Sequence, residues 1–337
     1  MKDSTQNIYK IFLTIASIII ILAGIKAASS IVILFLLSIF ISTVTYPILY
    51  RLQSLGINKF ISYFIVLSLV IFIFAVFSYI LSSSVDSFLN NKEAYQNKID
   101  ILISKVAKYL QTFNISIDKN NILEFLNPAY FFNYITIFLK TLTSLISKSF
   151  IVFLGSTFML LEINRFKYKL NSISQKGEML YFFENFAHKI NKYLVIKTII
   201  SLLTGFFITI GLYLLNVDFA PLWGLLAFLL NFIPSFGSIL AAIPALLLSL
   251  INNGFEIFLL VLILYLIVNI ILGNILDPKL MGENLGLSVV TVFFSLIFWG
   301  YILGPMGMFL AVPISMSIKL ALQSHPSTKD IAKFLAD

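Results

Sequence analysis

Asn231-Phe-Ile-Pro234-Ser-Phe-Gly237 interrupts an apolar run over residues 219–250, and Gly304-Pro305-Met-Gly307 interrupts a second one over residues 288–320. Length decides what these runs can be. At ~1.5 Å per residue, a straight helix over either run rises roughly 48 Å, well beyond a hydrocarbon core of ~30 Å, while two full crossings need about 40 residues. Each half of a folded-back run is ~20 Å or a little more, which fits either a re-entrant hairpin or a single kinked helix. Proline removes an amide donor and clashes with the preceding turn, whereas glycine lets backbones approach closely. Pro-x-x-Gly and Gly-Pro-x-Gly therefore suit hairpin tips. Pro244 in the first run, with Gly300 and Pro313 in the second, adds further interruptions. Such backbone is tolerated at membrane depth only when buried in protein or lining a water-filled cavity.

The two runs form a repeat. A span at about 194–215 precedes the first and a span at about 256–276 precedes the second, with about 70 residues between Pro234 and Pro305. If each run re-enters from one side, the two units have opposite orientation. Matching Gly/Pro interruptions in two halves of a membrane protein point to a midplane binding site. The competing reading is that glycine and proline merely serve close helix packing.

Composition supports a membrane setting. The 337 residues are 59% apolar and 11% charged, with a mean hydropathy of +0.99, against about 25% charged in soluble domains. The apolar runs are continuous rather than alternating, which argues against an outer-membrane barrel. The expected fold class is all-α: a polytopic helical membrane protein with two Pro/Gly-broken segments in inverted C-terminal repeats. We expect about six full crossings besides the broken segments.

Chemistry is sparse. There is no cysteine, so disulfides, thiolate nucleophiles and sulfur-ligated metals are absent. His188 and His325 lie in polar stretches, and no HExxH, P-loop or GxSxG spacing occurs. The sequence therefore predicts no enzyme, no cofactor and no metal. The net charge of +8 reflects cations in short segments beside apolar spans, not nucleic-acid binding.

Six regions follow: N-terminal spans over 1–84, an extracytoplasmic amphipathic segment over 85–143, a fourth span over 144–163, a basic cytoplasmic loop over 164–193, a C-terminal transport core over 194–320, and a cytoplasmic tail over 321–337. In the 85–143 segment Ile99, Leu102, Ile103, Val106, Leu110 and Phe113 recur on one helical face. It packs on its own bundle or a neighbouring subunit, or else caps a gate. A second helix is expected from Asn127 as N-cap with Pro128 at its first position. The basic loop, rich in Lys and Arg, belongs in the cytoplasm, which also puts both termini there. The location expected is a bacterial inner (cytoplasmic) membrane.

At this point the chain resembles a known family. Asn231-Phe-Ile-Pro-Ser-Phe-Gly237 with Pro244, Asp277-Pro-Lys-Leu-Met-Gly282, then Leu303-Gly-Pro-Met-Gly-Met-Phe-Leu-Ala-Val-Pro313 and Lys319 are similar to the signature of the autoinducer-2 exporter family. Tyr193-Leu194 also fits, whereas Lys197 replaces the polar amide that similar proteins often carry nearby. The resemblance implies export of the quorum-sensing signal autoinducer-2, or sodium or lithium/proton antiport.

Ionisable groups in a membrane core are default functional candidates. Here Glu162, Asp218, Glu256, Asp277 and Glu283 all fall near span ends, so no mid-membrane proton carrier is evident. A polar solute would instead meet amides, hydroxyls and loose backbone. The candidate substrate-binding residues are Asn231, Pro234, Ser235, Gly237 and Ser238 at the first break, Asn269 and Asn274 on the span between, and Thr291, Gly304, Pro305 and Gly307 at the second, with Ser288 and Ser295 nearby. Asn269 serves either as a site residue or as an interhelical hydrogen bond. Asp277 either coordinates a coupling cation or pairs with Lys279. Trp223 and Trp299 mark interfaces or packing.

The expected function is export of a small hydrophilic solute by alternating access, with Na+ or H+ as a coupling ion, in a homo-oligomer embedded in lipid. A cation/proton antiporter and a non-transporting scaffold are the alternatives.

Overall fold

The computed structural model describes residues 2–111, 137, 148–173, 178–234, 236–281, 287–324 and 328–335. Among them every regular element is a helix. In chain order these are α1 (Lys2–Ala27), α2 (Ser29–Ser54), α3 (Lys59–Asn90), α4 (Lys92–Gln111), α5 (Ser149–Ile173), α6 (Glu178–Leu214), α7 (Ala220–Leu230), α8 (Gly237–Asn253) and α9 (Phe255–Val268), which runs into a π-helical segment (Asn269–Leu276). Then come α10 (Asp277–Met281), α11 (Val289–Leu303), α12 (Pro305–Gln323) and α13 (Lys329–Phe334). Among the described residues five helices are long and apolar enough to cross a membrane: Ser29–Ser54, Lys59–Phe88, Phe183–Leu214, Phe255–Met281 and Pro305–Gln323. The protein is a polytopic all-α membrane protein.

The chain divides into two compact units that are discontinuous in sequence, one of residues 1–47, 154–194 and 284–337, the other of 48–153 and 195–283. Each contains one of the broken runs. In the second unit α7 and α8 pack on each other although six residues separate them, which a continuous helix could not do, because residues seven apart on it are already ~10 Å distant. The first run is thus a helical hairpin. In the first unit Trp299 of α11 donates to Ser315 Oγ of α12 at 3.1 Å; sixteen residues along one straight helix would span ~24 Å, so this run also folds back.

The two hairpins share a device. A Cβ on Gly237 would run into the Leu230 carbonyl, and one on Gly307 into the Trp299 carbonyl. In both, a glycine at the start of the second limb abuts the last turn of the first. The turn itself differs: Gly304 sits at φ +67° as the joint between α11 and α12, with Pro305 opening α12. Pro244 and Pro313 lie inside α8 and α12 and do not break them.

Limb lengths are unequal, which differs from the sequence-level picture of two equal halves. The first limb α7 has 11 residues and α11 has 15, ~16 and ~22 Å, short of a crossing. The second limbs have 17 and 19, and α12 qualifies as a crossing on its own. The asymmetry arises largely because each second limb continues past the end of its run, α8 to Asn253 and α12 to Gln323.

The core of the second unit gathers Trp223, Ile200, Ile208, Leu212, Ala241, Ala245 and Val261 around α6, α7, α8 and α9. The 85–143 segment begins as the end of α3, which continues to Asn90, followed by α4. Tyr95 of α4 is buried and Ile99 partly so, both against this core, so the first half of α4 packs on its own bundle. The side chains of Leu102, Ile103, Val106 and Leu110, together with Phe113, Asn127 and Pro128, fall outside the described residues.

The basic 164–193 segment was expected as a loop, but the described part is helix: α5 extends to Ile173 and α6 begins at Glu178. Lys and Arg are good helix formers, and Glu162 bridges Arg165 one turn on at 3.5 Å. In the first unit the Lys26 ammonium, in the last turn of α1, lies 3.3 Å from the centroid of the Tyr301 ring.

Candidate functional site

Helix α6 organises the polar interior of the second unit. Lys197, Ser201 and Thr204 recur at i, i+4 and i+7, the spacing of a single helical face, and all three are buried. Gly205 continues that face, where a side chain would strike the Gly224 carbonyl and Phe228 of α7, so α7 seats closely on α6. Its C-cap residue Asn231 is brought down onto Ser201, and Asn231 Nδ2 donates to Ser201 Oγ at 3.0 Å.

One turn away on α6, Lys197 Nζ lies 2.7 Å from Asp277 Oδ2, with side-chain exposures of only 8% and 13%. The π-helical segment is what delivers Asp277 there. Its bonds run i to i+5 instead of i to i+4, and the Asp277 N–H closes it on the Leu272 carbonyl, so the registry of Asp277 differs from that of a continued α9. Extracting two charges from water costs several kcal/mol per ion, offset only when the pair is tight and its remaining hydrogen-bonding capacity is met. That condition is half met: Asp277 Oδ1 is buried with no hydrogen-bond partner among the described residues. The orphaned oxygen can accept a proton, a cation or a solute hydroxyl.

With this geometry in place, similarity to known proteins is decisive. The model of the family described as AI-2E family transporter matches residues 15–326. The chain belongs to that family. It is 34% identical over 334 residues to the AI-2 transport protein TqsA of Escherichia coli, covering 99% of this chain and 97% of that protein. A Haemophilus influenzae relative, 35% identical over 345 residues and covering 99% and 98%, is provisionally named a transport protein. So is YhhT of Escherichia coli, at 30% identity over 326 residues, covering 96% and 93%. This AI-2E family member is accordingly a membrane transport protein.

The residues singled out from its sequence separate into two groups. In the second unit, Asn231 and Asp277 approach the same stretch of α6. Gly237 is buried at the start of α8, Pro234 and Ser238 are half-buried around the turn, and Ser235 lies outside the described residues. Asn269 opens the π-helical segment with its Oδ1 facing Gly273, whereas Asn274 is exposed. In the first unit Thr291 takes part in an N-cap, its N–H donating to Ser288 Oγ at 3.1 Å. Ser295 turns back to the Val292 carbonyl. Gly304, Pro305 and Gly307 form the hairpin turn.

Two corrections concern charge. Asp277 does not pair with Lys279, which is exposed; its partner is Lys197, 80 residues earlier. Lys197 continues the basic stretch of 164–193 in sequence, yet it is buried in the second unit; Lys319 of α12 is buried in the first. The polar stripe Lys197, Ser201, Thr204 was the available signal. Among the described residues no group of three or more His, Asp or Glu could hold a metal ion.

Proposed function

We propose that this protein exports a small hydrophilic solute, akin to the AI-2 named for its Escherichia coli relative, across a bacterial cytoplasmic membrane by alternating access. The observation that carries this reading is the buried polar line Lys197, Ser201 and Thr204 on α6, met by Asn231 at the end of α7 and by Asp277 at the start of α10. Intramembrane polar and ionisable groups are costly and face the protein interior or water, where they mark solute and ion pathways. Both hairpins dip into the bilayer and both termini face the cytoplasm in this reading. Everted vesicles loaded by export of a labelled furanosyl signal test it: uptake should saturate and should fall at least tenfold in Asp277→Asn. Unchanged uptake in that variant removes Asp277 from the path, and no uptake at all removes the substrate.

Monovalent cation/proton antiport is a second reading, favoured by one specific observation. Asp277 Oδ1 is an unsatisfied acceptor beside a lysine ammonium, and a Na+ or Li+ ion bound there would displace Lys197 from the carboxylate. Acridine-dye measurement of Na+- or Li+-driven proton flux in the same vesicles separates the two.

A further inference from the structure

A second polar cluster lies at the other end of α6's crossing portion, about 17 residues or ~26 Å from Lys197. The turn joining α6 to α7 carries two non-glycine residues at positive φ, Asn216 at 53° and Phe219 at 59°. Such positions persist only when their surroundings over-determine them. Between them the turn presents Asp218. Its Oδ2 accepts from Asn252 Nδ2 at 2.6 Å and from the Tyr95 hydroxyl at 3.3 Å. Lys98 Nζ donates to Asn252 Oδ1 at 3.1 Å, so one amide bridges a cation and an anion. Tyr95 is itself 95% buried, stacked on Phe88 and edge-on to Phe219.

Around this cluster opens a cleft of about 360 Å³ lined by Asn91, Ala94, Tyr95, Lys98, Asp218 and Phe219. Its volume is at the small end of ligand pockets. The geometry points to a binding site for a small, neutral, polyhydroxylated solute. An anion would meet the Asp218 carboxylate and a cation the Lys98 ammonium. The two opposite charges stand on either side of the bridging Asn252 amide, so a charged ligand group is repelled by one as it is attracted by the other. Hydroxyls both donate and accept. They match the acceptor capacity left on the carboxylate and the two remaining ammonium protons of Lys98, while the Phe219 ring offers an apolar wall. The site requires binding only and stands apart from the transport path proposed at Lys197 and Asp277.

Trp223 is a built-in reporter, since its indole N–H donates to the Asp218 carbonyl at 2.9 Å. In the purified full chain carrying Trp299→Phe, which leaves Trp223 as the sole tryptophan, D-ribose should change the tryptophan emission saturably. Asp218→Asn and Lys98→Gln should each weaken the response at least tenfold. Asp100→Asn, an exposed carboxylate on the same helix, should retain it. Tyr95→Phe, which keeps the aromatic packing, should also weaken it, and serves if Asp218→Asn fails to fold. The proposal is overturned if D-ribose gives no saturable change, if glycine betaine or acetate saturates the signal and D-ribose does not, or if folded variants of the cleft bind as the parent does.

Discussion

Lys197 and Asp277 meet at 2.7 Å across 80 residues of chain, and neither side chain is more than 13% exposed. Removing either partner leaves a buried charge uncompensated, a loss of roughly 3–5 kcal/mol, whereas replacing both with apolar groups of similar size is close to neutral. We therefore expect Lys197→Met alone to lower the thermal unfolding temperature in detergent markedly, and Lys197→Met with Asp277→Leu to restore most of it. A double variant no more stable than the single one would contradict a pair that is coupled in this way.

Asn231 and Ser201 form a hydrogen bond fully inside the second unit. Interhelical bonds of this kind average only about 0.6 kcal/mol in membrane double-mutant cycles, with a maximum near 1.7. A cycle of Asn231→Ala and Ser201→Ala should return a coupling within that range. A transport defect in Asn231→Ala far larger than the stability loss would mark the amide as a solute contact and not only a strut.

The hairpin glycines predict an ordered series. Gly237→Ala and Gly307→Ala force a methyl against the Leu230 and Trp299 backbone carbonyls, and overpacking against rigid backbone costs typically 1–3 kcal/mol. Gly24→Ala on α1 meets nothing within 4 Å and should be neutral or slightly stabilising, as alanine is the better helix former. Unfolding temperatures of the three variants check the order.

Tyr95 supplies the pH prediction. Burial, then the charge of Asp218 and its hydrogen bond, push the phenol up from 10.0 to about 12, against a smaller opposing hydrogen bond with Asn252. A raised value means that the fold favours the protonated form. The stabilisation is complete below pH 10 and is lost as pH climbs from 10 towards 12. Alkaline titration followed by Trp223 emission should show a transition in that window that is absent in Tyr95→Phe.

Much of this architecture is legible without coordinates. The continuous apolar runs and the scarcity of charge point to a helical membrane protein, because only helices and closed barrels satisfy backbone in lipid and a barrel needs alternating strands. Pro234 with Gly237 and Gly304 with Pro305 locate both breaks, since proline and glycine act through local sterics that need no partner. The amphipathic character of α4 is likewise a local periodicity, realised where Tyr95 and Ile99 enter the core.

What only the tertiary structure decided is pairing at a distance. Lys197 reads as one more cation of a basic stretch, and its neighbour in sequence space gives no hint of Asp277, which is delivered by a π-helical segment whose wider turn has no clear signature in Asn269-Ile-Ile-Leu-Gly-Asn-Ile-Leu276. Asp218 looks like an ordinary loop carboxylate until Tyr95, Lys98 and Asn252 converge on it from two other helices. The chain's own chemistry determines where it enters lipid and where it bends, because those outcomes depend on each residue and its near neighbours. Which charge answers which depends on the packing of whole helices, a cooperative result that no single stretch contains.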